Sequence, residues 1–467
     1  MATAEAFMRV LLCHWEWFKQ AENYCSFYED LQGCGMEMAL SENGSRRPTR
    51  EIIRHLILSG VCLLALLKAH SVWAGEVDPS TLTGKVMCGY QGWFNCSNDG
   101  AQMGWKHWTV GVAEEFKSAE LTFDLWPDMS EYGEGERFAT GLKQADGSEA
   151  ELFSSFKRAT VVRHFEWMRD YEIDGVFFQR FANGLKAGRL RDNKDVVLEN
   201  VRVGAKLSDR VYAVMYDLSG LKKGEVMNVA DDWLRLRREK NITEDHNYLK
   251  HKGRPLVGIW GVGFNDGRKY SLADCHALIT FFKDNGCSVL LGVPSWWRTG
   301  KRDAVDDPEL LQVIQLADVV SPWTVGRYRT PEEARNHAKS VWRPDLDWCQ
   351  KQKVDFLPVV FPGFSWSHLK GGGEQLNAIP RLKGQFLWSQ FVAAKRVGCD
   401  MVYVGMFDEV DEGTAIFKCS NNPPIGSSFE FSDMEGLPSD FYLKLTGSGG
   451  RLLRGEIPVT DELPEWK

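Results

Sequence analysis

The chain reads as one α/β domain of the (β/α)8, or TIM-barrel, class with long loops on one face, and three observations predict it. Eight short apolar runs recur between residues 75 and 467, stretches of helical spacing separate them, and no repeat or low-complexity linker marks a second domain. The runs are Val86–Tyr90, Gly175–Phe181, Val211–Tyr216, Leu256–Gly261, Ser288–Val293, Asp318–Trp323, Phe356–Phe361 and Met401–Met406. Each is bounded by turn or polar residues and lacks an alternating polar face, as parallel strands covered on both sides do.

The segments between them carry the helix period. Phe153, Phe156, Val161, Phe165 and Met168 recur at three- to five-residue intervals, as do Trp233 with Leu236, Leu278 with Phe282, and Phe386, Phe391 and Val392. A count of eight, with no Gly-rich phosphate loop after the first run, favours the barrel over an open doubly wound sheet. From Tyr90 to Leu152 about sixty residues intervene, far more than an ordinary strand-to-helix loop, so this segment is expected to build part of a cleft. After Cys419, the Pro/Gly/Ser-rich stretch 421–428 leads to an expected terminal helix over Ser439–Leu453.

The amino-terminal part differs from the rest. Arg46, Arg47, Arg50 and Arg54 precede an apolar run, Leu56–Leu67, and then Val72-Trp73-Ala74, the order of a signal peptide with its cleavage site. The run is too short to span a bilayer comfortably. Residues 36–74 therefore read as an export signal starting at Met36 or Met38, residues 1–35 as a doubtful leader outside the mature protein, and 75–467 as the barrel. Cys62 fits a lipid-modified cysteine poorly, because Val61 stands where a small residue is expected. The expected product is a monomer exported to the periplasm or the medium, with no stable membrane span.

Composition narrows the partners. The net charge is −8 with a pI near 5.8 and no Lys/Arg stripe, which argues against nucleic acid. Removing residues 1–74 takes seven of 56 Lys/Arg and eight of 64 Asp/Glu, leaving 49 against 56, a balance of −7. Seven cysteines remain, without a C-x-x-C pair, so no structural zinc site is expected; Cys88 and Cys96 are left open as a disulfide or as two buried thiols. Eighteen tryptophans are more than a core needs, and indole faces suit the apolar faces of sugar rings.

In a barrel the reacting groups stand at the carboxyl ends of the strands. Those ends carry Tyr90 and Trp93, with His107 farther on; Gln179-Arg180-Phe181; Tyr216 and Asp217; Trp260; Trp296, Trp297 and Arg298; Trp323 and Arg327; Trp366; and, after the eighth strand, Asp408-Glu409-Val410-Asp411-Glu412-Gly413. Aromatic platforms with a few hydrogen-bonding groups make a carbohydrate cleft in composition. Cleaving a glycosidic bond needs one protonated and one ionised carboxyl. Glu409 and Glu412, three apart at a strand exit, can face one pocket, where burial and mutual repulsion separate their proton affinities. The alternative is an acidic surface turn. Asp408, Tyr90, Tyr216, Asp217, His107, Arg298 and the platforms Trp93, Trp296, Trp297, Trp323 and Trp366 are the candidate sugar-binding groups. For His107 the alternative is a packed histidine, for Asp217 a loop cap, for Arg298 and Arg327 local ion pairs, and for about half of the tryptophans the core. No metal or other cofactor is expected.

The segment Phe407-Asp408-Glu409-Val410-Asp411-Glu412-Gly413-Thr414 resembles the N-E-W-H-E-G-T type motif of glycoside hydrolase family 99, the endo-α-mannosidases, and of related family 71/99-like bacterial proteins. The likeness extends to Gly89-Tyr90-Gln91-Gly92-Trp93, Trp105-Lys106-His107-Trp108, Asp174-Gly175-Val176, Trp296-Trp297-Arg298 and Phe364-Ser365-Trp366. It implies that Glu409 is a base on the sugar 2-hydroxyl and Glu412 an acid and then a base at the leaving oxygen, by way of a 1,2-anhydro sugar with net retention and no metal. Asp408, Val410 and Asp411 replace Asn, Trp and His of that motif; they add negative charge and remove a stacking surface. A barrel that binds glycans without cleaving them, and a glycosidase for pentose-containing polymers, are the competing expectations.

Overall fold

The computed structural model describes residues 75–425 and 430–466. The proposed leader and signal peptide, with Cys62, lie outside the described residues.

All eight expected runs form strands. β1 spans Val86–Tyr90, and the long connection that follows contains a two-stranded antiparallel hairpin, β2 (Arg137–Lys143) with β3 (Glu149–Phe153). Then come β4 (Gly175–Phe181), β5 (Val211–Asp217), the short β6 (Lys250–His251), β7 (Arg254–Trp260), β8 (Ser288–Pro294), β9 (Val319–Trp323), β10 (Asp355–Phe356), β11 (Val359–Val360) and β12 (Val402–Val404). Nine of these make one curled parallel sheet in the order β10-β9-β8-β7-β5-β4-β1-β12-β11, with β6 antiparallel on β7. The architecture is a distorted TIM barrel rather than the regular closed (β/α)8 barrel expected. Its irregularity has a local cause. The two end strands of the sheet, β10 and β11, are separated in sequence only by Leu357-Pro358, and Pro358 has no N–H to give to a ladder. The one run expected over Phe356–Phe361 therefore appears as two pieces, one paired with β9 and the other with β12.

Helices cover the outside: α1 (Arg158–Asp170), α2 (Arg189–Ser208), α3 (Asn228–Lys240), α4 (Leu272–Asp284), α5 (Glu309–Ile314), α6 (Pro331–His337), α7 (Arg343–Gln352), α8 (Gln385–Val397) and α9 (Phe441–Arg454). Val161, His164, Phe165 and Met168 form the buried stripe of α1, whereas Phe153, expected to share it, ends β3 instead. Capping boxes start two helices, Ser271 with Asp274 on α4 and Thr330 with Glu333 on α6, and left-handed Gly398 and Gly455 stop α8 and α9.

The connection from β1 to α1 is a packed lobe. Phe94 lies 4.2 Å from Trp108 between ring centres, and the Trp108 indole donates to the Phe153 carbonyl at 3.1 Å. Cys96 donates to the same carbonyl, and Cys88 and Cys96 are both free and buried, as are the other five cysteines of the described residues. No helix among the described residues is long and apolar enough to cross a membrane.

Candidate active site

Strand register assembles the site. Phe181 on β4 is level with Asp217 on β5, and Asp217 with Trp260 on β7, so three successive strands end in one row. Trp260 is level with Gly292 on β8, where a Cβ would lie 2.3 Å from the indole; the missing side chain makes room for the ring. Phe181, Asp217 and Trp260 line a cavity of about 230 Å³ together with Gln91, Trp93, Gln179, Ser219, Trp323, Tyr403, Met406, Glu409 and Glu412. A larger open groove of about 710 Å³ lies against the β2–β3 hairpin, between Trp126, Arg137, Glu151 and Ser420, and contains no strand-end group and no member of the acidic run. Size does not decide between them; the smaller cavity holds the titratable pair.

The acidic run divides into different environments. Asp408 is fully buried and accepts from the backbone N–H groups of Gln91 and Gly92, each at 2.8 Å, so it ties the exit of β1 to the exit of β12 and does not line the cavity. Glu409 accepts from the Gln91 amide at 2.6 Å and the Thr414 hydroxyl at 2.8 Å. Asp411 is buried with its Oδ2 at 3.6 Å from His107 Nδ1 and its other oxygen without a hydrogen-bond partner among the described residues. Glu412 is half-buried and takes no hydrogen bond on its side chain from the described residues. Burial pushes Asp408, Asp411 and Glu412 up to about 7, and burial with the Glu412 and Asp411 charges holds Glu409 well above the ordinary carboxylate range. Only the Lys370 ammonium works the other way on Glu412. Four carboxyls in five residues therefore do not all ionise at neutral pH, and the proton affinities of Glu409, Asp411 and Glu412 depend on one another.

Of the groups expected from sequence, the structure brings Trp93, Asp217, Trp323, Glu409 and Glu412 around the cavity. His107 stands beside them, stacked on Trp93 with ring centres 4.0 Å apart and planes within 5°. Tyr90 points away into the core, its hydroxyl 2.8 Å from His164 Nδ1, and the Tyr216 hydroxyl donates to Asp232 at 3.0 Å behind the sheet. Trp297 is buried against Trp348; Trp296 lies under the Arg302 guanidinium and Trp366 under the Lys370 ammonium. Arg298 and Arg327 bind Asp345 and Asp303, each at 2.7 Å, so the ion-pair alternative holds for both. Asp217 accepts from the Ser219 backbone at 2.6 Å, the loop-cap alternative, while still lining the cavity.

Sequence reasoning missed Gln91, Gln179, Trp260 and Tyr403 as cavity residues. Gln179 donates to the Tyr403 hydroxyl at 2.9 Å across the barrel. Three buried polar atoms on the cavity-lining residues, Gln91 Oε1, Trp93 Nε1 and Trp260 Nε1, have no hydrogen-bond partner among the described residues, and such groups are met by solvent or ligand. No group of three or more His, Cys, Asp or Glu side chains among the described residues is placed to hold a metal.

The fold of the described residues resembles that of solved proteins. It is similar to the family 99 endo-α-mannosidase from Bacteroides thetaiotaomicron, with a TM-score of 0.57 and 15% identity over 80% of this chain and 99% of that one. The structure described as the same enzyme in complex with bis-tris-propane gives the same values. At this identity the likeness establishes the fold alone. No protein-family profile matches the chain, and no curated protein matches it by sequence.

Proposed function

We propose that the protein is a glycoside hydrolase for α-linked glycans and that Glu409 and Glu412 carry the reaction. The observation behind this reading is that both carboxyls open on one cavity walled by Trp93, Trp260 and Trp323. Burial and the Glu412 and Asp411 charges raise Glu409, so the roles are assigned on the hydrogen bonds: two donors fix Glu409 and stabilise its anion, which suits the base, while Glu412, without a donor and near 7, suits the acid. On a sugar whose O2 is trans to the leaving oxygen, as in an α-mannoside, Glu409 then removes the proton of the 2-hydroxyl as that oxygen attacks the anomeric carbon from the opposite face, and Glu412 gives its proton to the departing glycosidic oxygen. Water, deprotonated by Glu412, opens the resulting 1,2-anhydro sugar, and Glu409 returns the proton to O2, so the anomeric configuration is retained.

Incubation with α-mannan, α-glucan and a panel of aryl glycosides, pentosides included, tests the proposal. Release of reducing ends by the wild type, lost in Glu409→Gln and Glu412→Gln, supports it. A retained glycan with no new reducing ends replaces it with the binding reading, and activity confined to pentosides with the pentosidase reading. The export reading of residues 36–74 belongs to the same proposal: protein recovered from the medium or periplasm should begin at Gly75 on amino-terminal sequencing.

A further inference from the structure

Beside the Trp93–Phe181 wall of the cavity stands positive charge that the acid pair does not use. Lys194 stands in the second turn of α2 with its ammonium 5.8 Å from the centre of the Phe181 ring, and Phe181 lies 5.2 Å from Trp93. Both rings line the cavity. The Lys194 stem passes so close to Gly184 that a Cβ there would sit 3.0 Å from its Cε. Lys106 belongs to the lobe after β1 and precedes His107, which is stacked on Trp93.

The two segments are fastened together. Asn95 and Asn193 exchange hydrogen bonds at 3.1 and 3.2 Å, and Arg189 donates to the Gln102 carbonyl at 3.1 Å. After burial, the Arg180 and Lys106 charges depress Lys194, and the Lys106 and Lys194 charges depress His107. Burial is the larger cause in each case and brings Lys194 down to about 8. Neither ammonium lies within 4 Å of a carboxylate among the described residues. By contrast Lys283 reaches Asp318 at 2.7 Å, and Lys418 pairs with Glu131. Asp217 and Asp232 favour the Lys194 charge from farther away, but neither ammonium has a directly bonded counter-ion, and partly desolvated cations of this kind mark places where a ligand supplies the missing contact.

We propose that Lys106 and Lys194, with His107, form an anion-binding subsite on the Trp93–Phe181 wall, and that the substrate is an acidic glycan. The group recognised is a carboxylate, sulfate ester or phosphate ester on a sugar adjoining the one in the cavity. This rests on the reading of the cavity as a glycan site. An ammonium pair meets each of these anions with charge-assisted hydrogen bonds, and the neighbouring ring faces cover the apolar side of the same sugar.

Calorimetric titration of the full chain with α-1,4-trigalacturonate, sulfated α-mannotriose and phosphorylated α-mannotriose, beside neutral α-1,4-galactotriose and α-mannotriose, tests the proposal. At least one anionic probe should bind about tenfold more tightly than its neutral match, and which one does so identifies the anion. Added salt should shrink the advantage. Lys194→Met and Lys106→Met should each lower the anionic affinity about fivefold or more and leave neutral binding within about twofold. The two substitutions lie on different segments, so a folding defect in one, seen by thermal melting, leaves the other to decide. The proposal is overturned if no anionic probe outbinds its neutral match, or if both variants keep the advantage. Cleavage of neutral glycans without any anionic advantage would remove the subsite and leave the hydrolase. Anion binding lost in the variants, with no reducing ends released from any probe, would do the reverse.

Discussion

Two clusters of buried charge stand at the same end of the barrel and are built in opposite ways. Behind the sheet, Arg180 is fully buried yet reaches Asp232 at 2.6 Å and Asp195 at 2.7 Å, and Arg235 closes the square by binding the same two carboxylates, each at 2.8 Å. In front of it, Asp408, Glu409, Asp411 and Glu412 crowd one short segment with no Lys or Arg bound to them among the described residues, and Lys370 acts only on Glu412. The paired cluster moves away from neutrality: the guanidinium of Arg180 is raised by Asp232, and Asp232 is lowered by Arg180 despite its burial. The unpaired cluster moves toward neutrality. Charge buried with its partner fixes structure, whereas charge buried without one leaves a proton ready to transfer near pH 7.

The sharpest way to break this contrast is to neutralise each cluster and measure both activity and stability. Glu409→Gln and Glu412→Gln should lower kcat/KM by roughly 10²–10⁴-fold, the range for a lost acid or base, with little loss of thermal stability because a repulsive charge has gone. Asp232→Asn should do the opposite, costing about 3–5 kcal/mol in urea denaturation because it leaves Arg180 buried against a weaker partner. A Glu409→Gln protein less stable than Asp232→Asn would end the distinction.

Proton linkage offers a finer measurement. Asp408 and Asp411 titrate near 7 in the fold and near their ordinary value of 3.8 when unfolded, so between about pH 4 and 7 the folded protein holds more protons. Stability therefore falls as pH rises through that window, and the domain should melt roughly 2–8 °C lower at pH 8 than at pH 5.5. Asp411→Asn should flatten the slope. A melting temperature that rises over the same interval would show both carboxylates ionised in the fold.

The eight runs were legible because parallel strands covered on both sides leave continuous apolar stretches, and the acid pair because it follows the last of them. What stayed hidden is which way each strand end faces. Successive side chains alternate across a strand, so Gln179 and Phe181 turn inward while Arg180 turns out to Asp232, and Asp217 turns inward while Tyr216 turns out to the same carboxylate. Parity counted along β4 and β5 would have replaced Tyr216 by Gln179. The split of the seventh run was signalled by Pro358 alone, and Trp260 by a glycine on the neighbouring strand, a partner that needs the register.

The smallest effect concerns the one cation that acts on the pair from outside. Lys370 is exposed, with its ammonium 4.6 Å from the Trp366 ring, and it lowers Glu412 against burial and the Asp411 charge, both of which raise it. Removing that positive charge in Lys370→Met leaves the two raising influences unopposed, so Glu412 holds its proton to higher pH. If Glu412 is the acid, activity fails when it ionises, and the alkaline limb of the kcat/KM profile should move upward in the variant. Because the lysine is solvated, the move should be about half a pH unit or less. Salt added to the wild type should shift the limb in the same direction by screening the same cation. A limb that moves down, or an acid limb that moves instead, would assign the titration to another member of the run.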